Sequence, residues 1–507
     1  MTYFPRGAFE RGGEIATILV KRESCSGDEC SYGGIVPRDS RACRGALAQG
    51  RRAAAVARTT IGDWRRGRLV MRAIGNHWAW SAVLWALPAA GLAQDVYIGR
   101  LTTAVTDLQL DAGASFPSNS YGGDYIVFVS SSGNLGVPSN GVLNVYRYEL
   151  ATDTYTVAMS GLGNGNSFAP VVAASGGAIA FESLATNLGG GGNFADVFYS
   201  ESFALPQGEI GFNTFLVSRG LGGAAPNGEA RVPSISGDGN FIAFYSDSSN
   251  LVPGDGNGSP DIFVYNTGNA ALSRVSLDNS GAQINGPSRL PSTQSISFDG
   301  RYVVFAVDTP VSIDGSNPNT LEDVFVRDRS LGTTSLVSRA SGASGVAGGN
   351  SSDSGAISPN GRYVAFRSFA TNLVAAPSGS RIYLRDRQTL ATSNMPLPPG
   401  AASCEDPRVS DLGDILAQCN MNSGFAQAFL YRPADGGGFY RLSSSLANGN
   451  GNGTSGNYSG ISADGNFSVF DSDASDLVPG DTNANPDVFV GIDAELLNLI
   501  FRDGFEG

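Results

Sequence analysis

Residues 296–329, ISFDGRYVVFAVDTPVSIDGSNPNTLEDVFVRDR, decide the fold, because recognisable copies of this stretch recur along the chain. Tyr302, Val303, Val304 and Phe305, and again Val324, Phe325 and Val326, are β-branched or aromatic, which suits a pleated, half-buried surface. Asp299-Gly300 precedes the first run, where a two-residue turn needs a positive φ that glycine adopts freely and aspartate tolerates. The stretch reads as a hairpin of 295–297 with 301–306 and a third strand at 324–326. After the turn Ser330-Leu331-Gly332, residues 334–338 make a fourth strand. Four antiparallel strands in chain order form one blade.

Seven copies of the second strand follow one another: 125–128 (YIVF), 178–181 (AIAF), 241–244 (FIAF), 302–305 (YVVF), 363–366 (YVAF), 415–418 (ILAQ) and 467–470 (FSVF). First strands are equally regular, with Ile235, Ile296 and Ile357 spaced by 61 residues and Ile357, Val409 and Ile461 by 52. Helix signals are nearly absent and glycine reaches 68, as many tight turns require. The expectation is an all-β chain: a seven-bladed β-propeller of four-stranded antiparallel blades, with a six-bladed ring plus one degenerate repeat as the alternative. The last repeat, 461–490, has three strands and no clear fourth. Residues 96–103 (VYIGRLTT) supply one, since Arg100-Leu101-Thr102 echoes Arg274-Val275-Ser276 and Arg441-Leu442-Ser443. Pairing of 96–103 with 487–490 closes the ring and removes two unpaired edges.

The first 94 residues have a different character. Met71-Arg72, an apolar run over 78–92 and Gly91-Leu92-Ala93 make a positive start, a short apolar core and a small-residue cleavage site, so 71–93 is expected to be a signal peptide. A membrane anchor is the alternative, although the run is short for a bilayer. Residues 1–70, Arg-rich and irregular, are expected to lie outside the true protein, with translation starting at Met71. Residues 94–492 form the propeller and 493–507 a tail. Of the 33 basic and 46 acidic residues, 14 and 7 lie in 1–94, leaving 19 arginines against 39 carboxylates. Such a surface repels nucleic acid and anionic lipid and favours cations or basic partners. Cys404 and Cys419 are the only cysteines after the leader, and an even pair in an exported protein suggests one disulfide.

ISFDGRYVVF (296–305), ISPNGRYVAF (357–366) and ISADGNFSVF (461–470), each leading towards DVFV or a similar strand, resemble the TolB-like, WD40-like propeller repeat of bacterial exported proteins. The resemblance covers about 119–492 and the closing strand. It implies a propeller and, in the Tol system, a periplasmic protein that binds partner proteins. That family member carries an additional N-terminal α/β domain, whereas the mature chain here is expected to start at its closing strand. Other relatives place the propeller before a serine peptidase domain, and none is visible here. The final residues 500–507 (IFRDGFEG) resemble a short tail on some exported proteobacterial proteins.

The connections between second and third strands are long and acidic. Asp481, Asn483, Asn485 and Asp487 alternate, as in the first half of a calcium loop, and Asp255, Asn257 and Asp261 repeat part of the pattern. Pro486 stands where such a loop has glycine and no bidentate glutamate follows, so bonding of these side chains to nearby backbone is the alternative. Ca²⁺ is thus the one candidate cofactor. His77, the only histidine, lies in the leader, which excludes Ser-His-Asp, Cys-His and His-ligated metal chemistry from the mature chain. Carboxylate-pair chemistry stays open, with no pair singled out. Phe244, Phe263, Phe305, Phe325, Phe470 and Phe489 recur once per strand and are read as core. The runs Arg327-Asp328-Arg329 and Arg385-Asp386-Arg387 are expected to form surface pairs or to bond across the turn. The chain is therefore expected to be an exported, monomeric, non-catalytic binding or scaffold protein, periplasmic or extracellular, for an envelope protein or basic ligand. A carboxylate-dependent enzyme acting on polysaccharide and a calcium-stabilised envelope component are the alternatives.

Overall fold

The computed structural model describes residues 18–21, 56–59, 96–101, 109–190, 194–206, 208–308, 313, 321–375 and 379–493. Within the leader, Ile18–Lys21 pairs antiparallel with Val56–Thr59. The leader and tail expectations otherwise fall outside the described residues. The remainder is a seven-bladed propeller, each blade a four-stranded antiparallel sheet. Blades 1 to 6 span 114–157, 167–216, 230–274, 288–336, 352–394 and 401–441, with strands A to D in chain order.

Blade 7 takes its A, B and C strands from Ser455–Ile461, Phe467–Ser472 and Asp487–Asp493 and its D strand from Val96–Arg100. The register runs from Val96 opposite Asp493 to Arg100 opposite Phe489, and the Leu101 N–H donates to the Val488 carbonyl at 2.8 Å. The first strand to leave the leader thus completes the last sheet.

Alternation sets the packing, because successive strand residues face opposite sides of a blade. In six blades an aromatic on strand B stacks on one directly across on strand C: Phe128 on Tyr146, Phe181 on Phe198, Phe244 on Phe263, Phe305 on Phe325, Phe366 on Tyr383 and Phe470 on Phe489. Offset stacks of this kind contribute about 0.5–1.5 kcal/mol beyond their burial. Blade 6 has Gln418 opposite Ala428 at that position. There Cys404 and Cys419, directly opposed on strands A and B, form a disulfide.

Two expectations are refined. The hairpin of 295–297 with 301–306 is present, with Ile296 bridged to Val303 and backbone bonds from the Ser297 N–H to the Tyr302 carbonyl and from the Val304 N–H to the Ser295 carbonyl, while the continuous ladder of strand A in blade 4 is only Ser288–Arg289. Relative to Ala230–Ile235, blade 4 inserts Thr293, Gln294 and Ser295, which push the strand out of register. The Arg-Asp-Arg runs are not surface pairs alone. Arg327 and Arg385 are buried and donate to carbonyls of the preceding blade's outgoing loop, at Leu277 and Asp278 and at Ala340 and Gly342. Arg329 and Arg387 lie 4.4 Å and 3.9 Å over the Phe241 and Tyr302 rings of the preceding blades. Only the central aspartates behave as expected, pairing with Arg301 and Arg362 at 2.7 Å. Guanidiniums suit this position because their long stems bury while five donors satisfy neighbouring carbonyls.

Candidate functional site

The seven A strands surround a central channel that is closed at one end. At that end, backbone bonds between A–B turns run from blade to blade: Ala174 N–H to Gly237 O, Asp238 to Phe298, Phe298 to Pro359, Asp411 to Ala463 and Ala463 to Tyr121, all within 2.7–3.1 Å. Asn360 N–H completes the path by donating to Asp411 Oδ1 at 2.7 Å. Across the axis, the Tyr121 and Phe298 rings meet edge to face at 5.1 Å. Higher up, the blade 4 insertion sends Gln294 across to blade 6, where its amide donates to the Val409 carbonyl and accepts from the Val409 N–H. Between these stoppers lies a cavity of about 50 Å³ lined from every blade, including Asn119, Ser234, Gln294, Arg408 and Ser459. That volume suits a few water-sized species, whereas pockets for organic ligands run to several hundred Å³.

The opposite end of the channel is shaped by a recurring bulge. In blades 1, 2, 3, 5 and 6 the A strand slips register at one left-handed residue: Phe116 (φ 54°), Ala169 (45°), Val232 (50°), Ser354 (48°) and Asp406 (51°). Positive φ at a β-branched residue such as Val232 is costly and is held only by its surroundings. Pro117, Pro170, Pro233 and Pro407 follow four of them, tolerated because a bulge needs no ladder N–H there. The bulges turn Phe116, Phe168, Arg231, Asp353, Glu405, Asp406 and Tyr458 into one ring at the mouth.

Polar contacts organise the ring. Arg367 chelates Asp353 through two 2.7 Å bonds and reaches Glu405 at 2.8 Å, tying blade 5 to blade 6. Arg231 pairs with Glu229 at 2.7 Å and Glu182 at 3.6 Å, while the strained Val232 N–H donates to Glu182 at 2.6 Å. Tyr458 stacks on Phe116 with centroids 3.8 Å apart, and its N–H donates to Asp471 at 3.0 Å. Burial, aided by Asp473, pushes the Asp471 carboxyl up to about 7. Burial also raises Glu182 and Asp406, against the pull of the Val232 N–H and Arg231 on the first and of Arg408 on the second. The Tyr458 hydroxyl is raised by burial and by the negative charge of Asp471, Glu182 and Asp406. Six carboxylates, Glu182, Glu229, Asp353, Glu405, Asp406 and Asp471, share this region with the guanidiniums of Arg231, Arg367 and Arg408.

The residues singled out as calcium ligands lie elsewhere, in two B–C loops. In blade 7, Gln109 donates to Asp481 Oδ1, Arg100 lies 3.4 Å from Asp487 and 3.9 Å from Asp481, and Asn483 donates to the Leu110 carbonyl. Asn485 gives its N–H to Asn483 Oδ1. Blade 3 repeats this: Gln283 donates to Asp255 and Asp261, Arg274 sits 3.6 Å from each, and Asn257 donates to the Ile284 carbonyl. The candidate oxygens are therefore turned to an arginine, a glutamine and local backbone. Among the described residues no three His, Cys, Asp or Glu side chains gather as a metal ion needs. Arg100 and Gln109 keep the nine-residue spacing of Arg274 and Gln283, a signal visible in the sequence. The recurring proline eight residues before strand B, at 117, 170, 233 and 407, marks the mouth in the same way.

No family model and no curated protein matches the chain. Solved structures similar to it include an oligogalacturonate lyase in complex with manganese (12% identity, 82% of this chain and 97% of that one, TM-score 0.48). A putative TolB from Agrobacterium tumefaciens is similar over 59% of this chain and 87% of its own, at 15% identity and TM-score 0.34. The β-propeller domain of the Trilobed protease from Pyrococcus furiosus is similar over 73% and 91%, at 10% identity and TM-score 0.43. Likenesses this distant speak to fold alone. Among the described residues no helix is long and apolar enough to cross a membrane.

Proposed function

We propose that the protein is an exported, non-catalytic binding propeller whose mouth ring docks a basic group of an envelope or extracellular partner. One observation carries this: the half-exposed Tyr458 ring stacks on Phe116 at the mouth, its own N–H is held by the Asp471 carboxylate, and Arg367 gathers Asp353 and Glu405 in the same region. An aromatic face edged by carboxylates suits a guanidinium or alkylammonium, which gains cation–π attraction and charge-assisted hydrogen bonds together. A bound cation favours the ionised form of Asp471, so binding releases a proton and affinity rises with pH up to about 7. Isothermal titration with an arginine-rich peptide checks this: affinity should grow between pH 5 and 8, and the Tyr458→Ala variant should lose about tenfold or more. Equal affinity at both pH values, or an unaffected variant, overturns the proposal.

One observation favours a second reading, a carboxylate-dependent enzyme on polysaccharide. Asp471, pushed up to about 7 beside other acids, has the protonation a general acid needs. A glycan-cleavage screen on wild type and Asp471→Asn separates the two, since only the enzyme releases reducing ends in an Asp471-dependent way.

A further inference from the structure

We infer that the closed channel holds a small inorganic anion, a halide, on Arg408. Arg408 is 6% exposed and lies in the A strand of blade 6. Its Nε donates to the Ser459 carbonyl at 3.1 Å, and Nη1 to the carbonyls of Pro407 at 3.0 Å and Asp406 at 3.4 Å. Nη2 donates to no described group. Nor does any described carboxylate lie within ion-pair distance of the side chain: the nearby acid, Asp406, attracts it without touching it.

A guanidinium does not give up its proton in a protein, so Arg408 is a permanent charge taken out of water with neutral partners only. Buried charges of this kind are ordinarily matched by a counter-charge, because neutral acceptors recover only part of the lost hydration. Arg100, Arg274 and Arg432 each sit beside aspartates, while Arg327 and Arg385, buried like Arg408 among neutral partners, do not line this cavity. The cavity that Arg408 lines is where the missing charge fits. Its volume of about 50 Å³ takes a monatomic anion with a water and excludes a sugar or an amino acid. Ser459 of blade 7 and Thr293 of blade 4 also line it and bring hydroxyl donors. Asn119 Oδ1, buried in the wall without a partner, is satisfied by a water that donates one proton to it and the other to the anion. The ion then ties blade 6 to its neighbours at the axis, at the level that Gln294 crosses.

This inference does not depend on the docking proposal. The test uses the whole protein, with chloride and bromide as probes. Melting should rise by a few degrees from low-millimolar to about 100 mM chloride at constant ionic strength made up with gluconate, which is too large for the cavity. Bromide-soaked crystals should show an anomalous peak at Arg408 Nη2. Arg408→Gln, still able to reach the Ser459 carbonyl, should remove the chloride dependence. If that variant does not fold, the bromide peak in the wild type decides alone. Identical melting in chloride and gluconate with no anomalous peak means that water alone fills the cavity and the inference is wrong.

Discussion

Replacing Arg100 with methionine tests how the ring is held shut. The Arg100, Asp481 and Asp487 side chains are 10%, 3% and 0% exposed, so removing the guanidinium strands two aspartates in a dry pocket. Breaking a buried pair in this way costs about 3–5 kcal/mol. With an unfolding entropy of about 2.1 cal/mol/K per residue over a ring of roughly 400 residues, that is a fall in Tm of about 4–6 °C. Arg274→Met is the internal control, because blade 3 carries the same Asp255, Asp261 and Gln283 arrangement on a strand that follows its neighbours in sequence. Both variants should lose similar stability by denaturant unfolding. Only Arg100→Met should speed amide exchange in 96–101 and 487–493, since strand D of blade 7 joins the sheet from the far end of the chain. Burial already raises Asp481 against the pull of Gln109 and Arg100, and losing Arg100 raises it further. A folded-state value above the unfolded one stabilises at low pH and is lost as pH rises, so the defect of Arg100→Met should shrink on acidification. A loss below about 1 kcal/mol, or matched exchange in the two variants, would refute the closure argument.

Other expectations follow from the same geometry. Asp471→Asn keeps an acceptor for the Tyr458 N–H and removes an ionisation that burial opposes; the wild type is penalised as pH rises from about 4 to about 7, so the variant should gain in melting temperature at pH 8 and not at pH 4. A gain of equal size at both values contradicts the burial argument. Millimolar calcium or a chelator should leave melting unchanged, because Arg100 and Arg274 already face the candidate oxygens; a calcium-dependent rise of several degrees would restore the metal reading. Replacing Cys404 and Cys419 together with serine should cost about 3 kcal/mol by the chain-entropy estimate for a 15-residue loop, measured by urea unfolding, and no loss would mean the stackless blade 6 stands without its staple.

The blade count, the strand order and the closing partner were legible because each rests on a repeated local signal. A YVVF-like run after an Asp-Gly turn needs nothing distant to be recognised, and seven occurrences fix the ring. The disulfide was legible from number alone, Cys404 and Cys419 being the only cysteines after residue 94, and the structure adds that they face each other on strands A and B. The mouth was not, since a bulge shows in sequence only as a proline after an unremarkable residue. Its chemistry is shared between blades: Tyr458 of blade 7 meets Phe116 of blade 1 from the far end of the chain, and Arg367 of blade 5 meets Glu405 of blade 6, through ring geometry alone. The calcium pattern drew attention for a sound reason, alternating oxygen-bearing side chains. The partners of those oxygens, Gln109 and Gln283, are supplied by the loop that leaves strand D, and for blade 7 that loop lies at the start of the chain.

The division of labour within a blade explains why binding and stability can vary separately here. Strands B and C carry the stacked aromatics and the Arg-Asp-Arg runs that lock one blade to the previous one, so substitutions there are felt by the whole ring. Strand A pairs with strand B on both sides of its bulge. Its first half, beyond the bulge, faces the mouth with residues as different as Phe116, Ala169, Val232, Ser354 and Asp406 in one backbone conformation. A position whose φ is imposed by the sheet and whose side chain is left free is where a repeat protein can change its ligand without changing its fold. The mouth of this propeller is built from such positions, and the docking proposal rests on the acids gathered there.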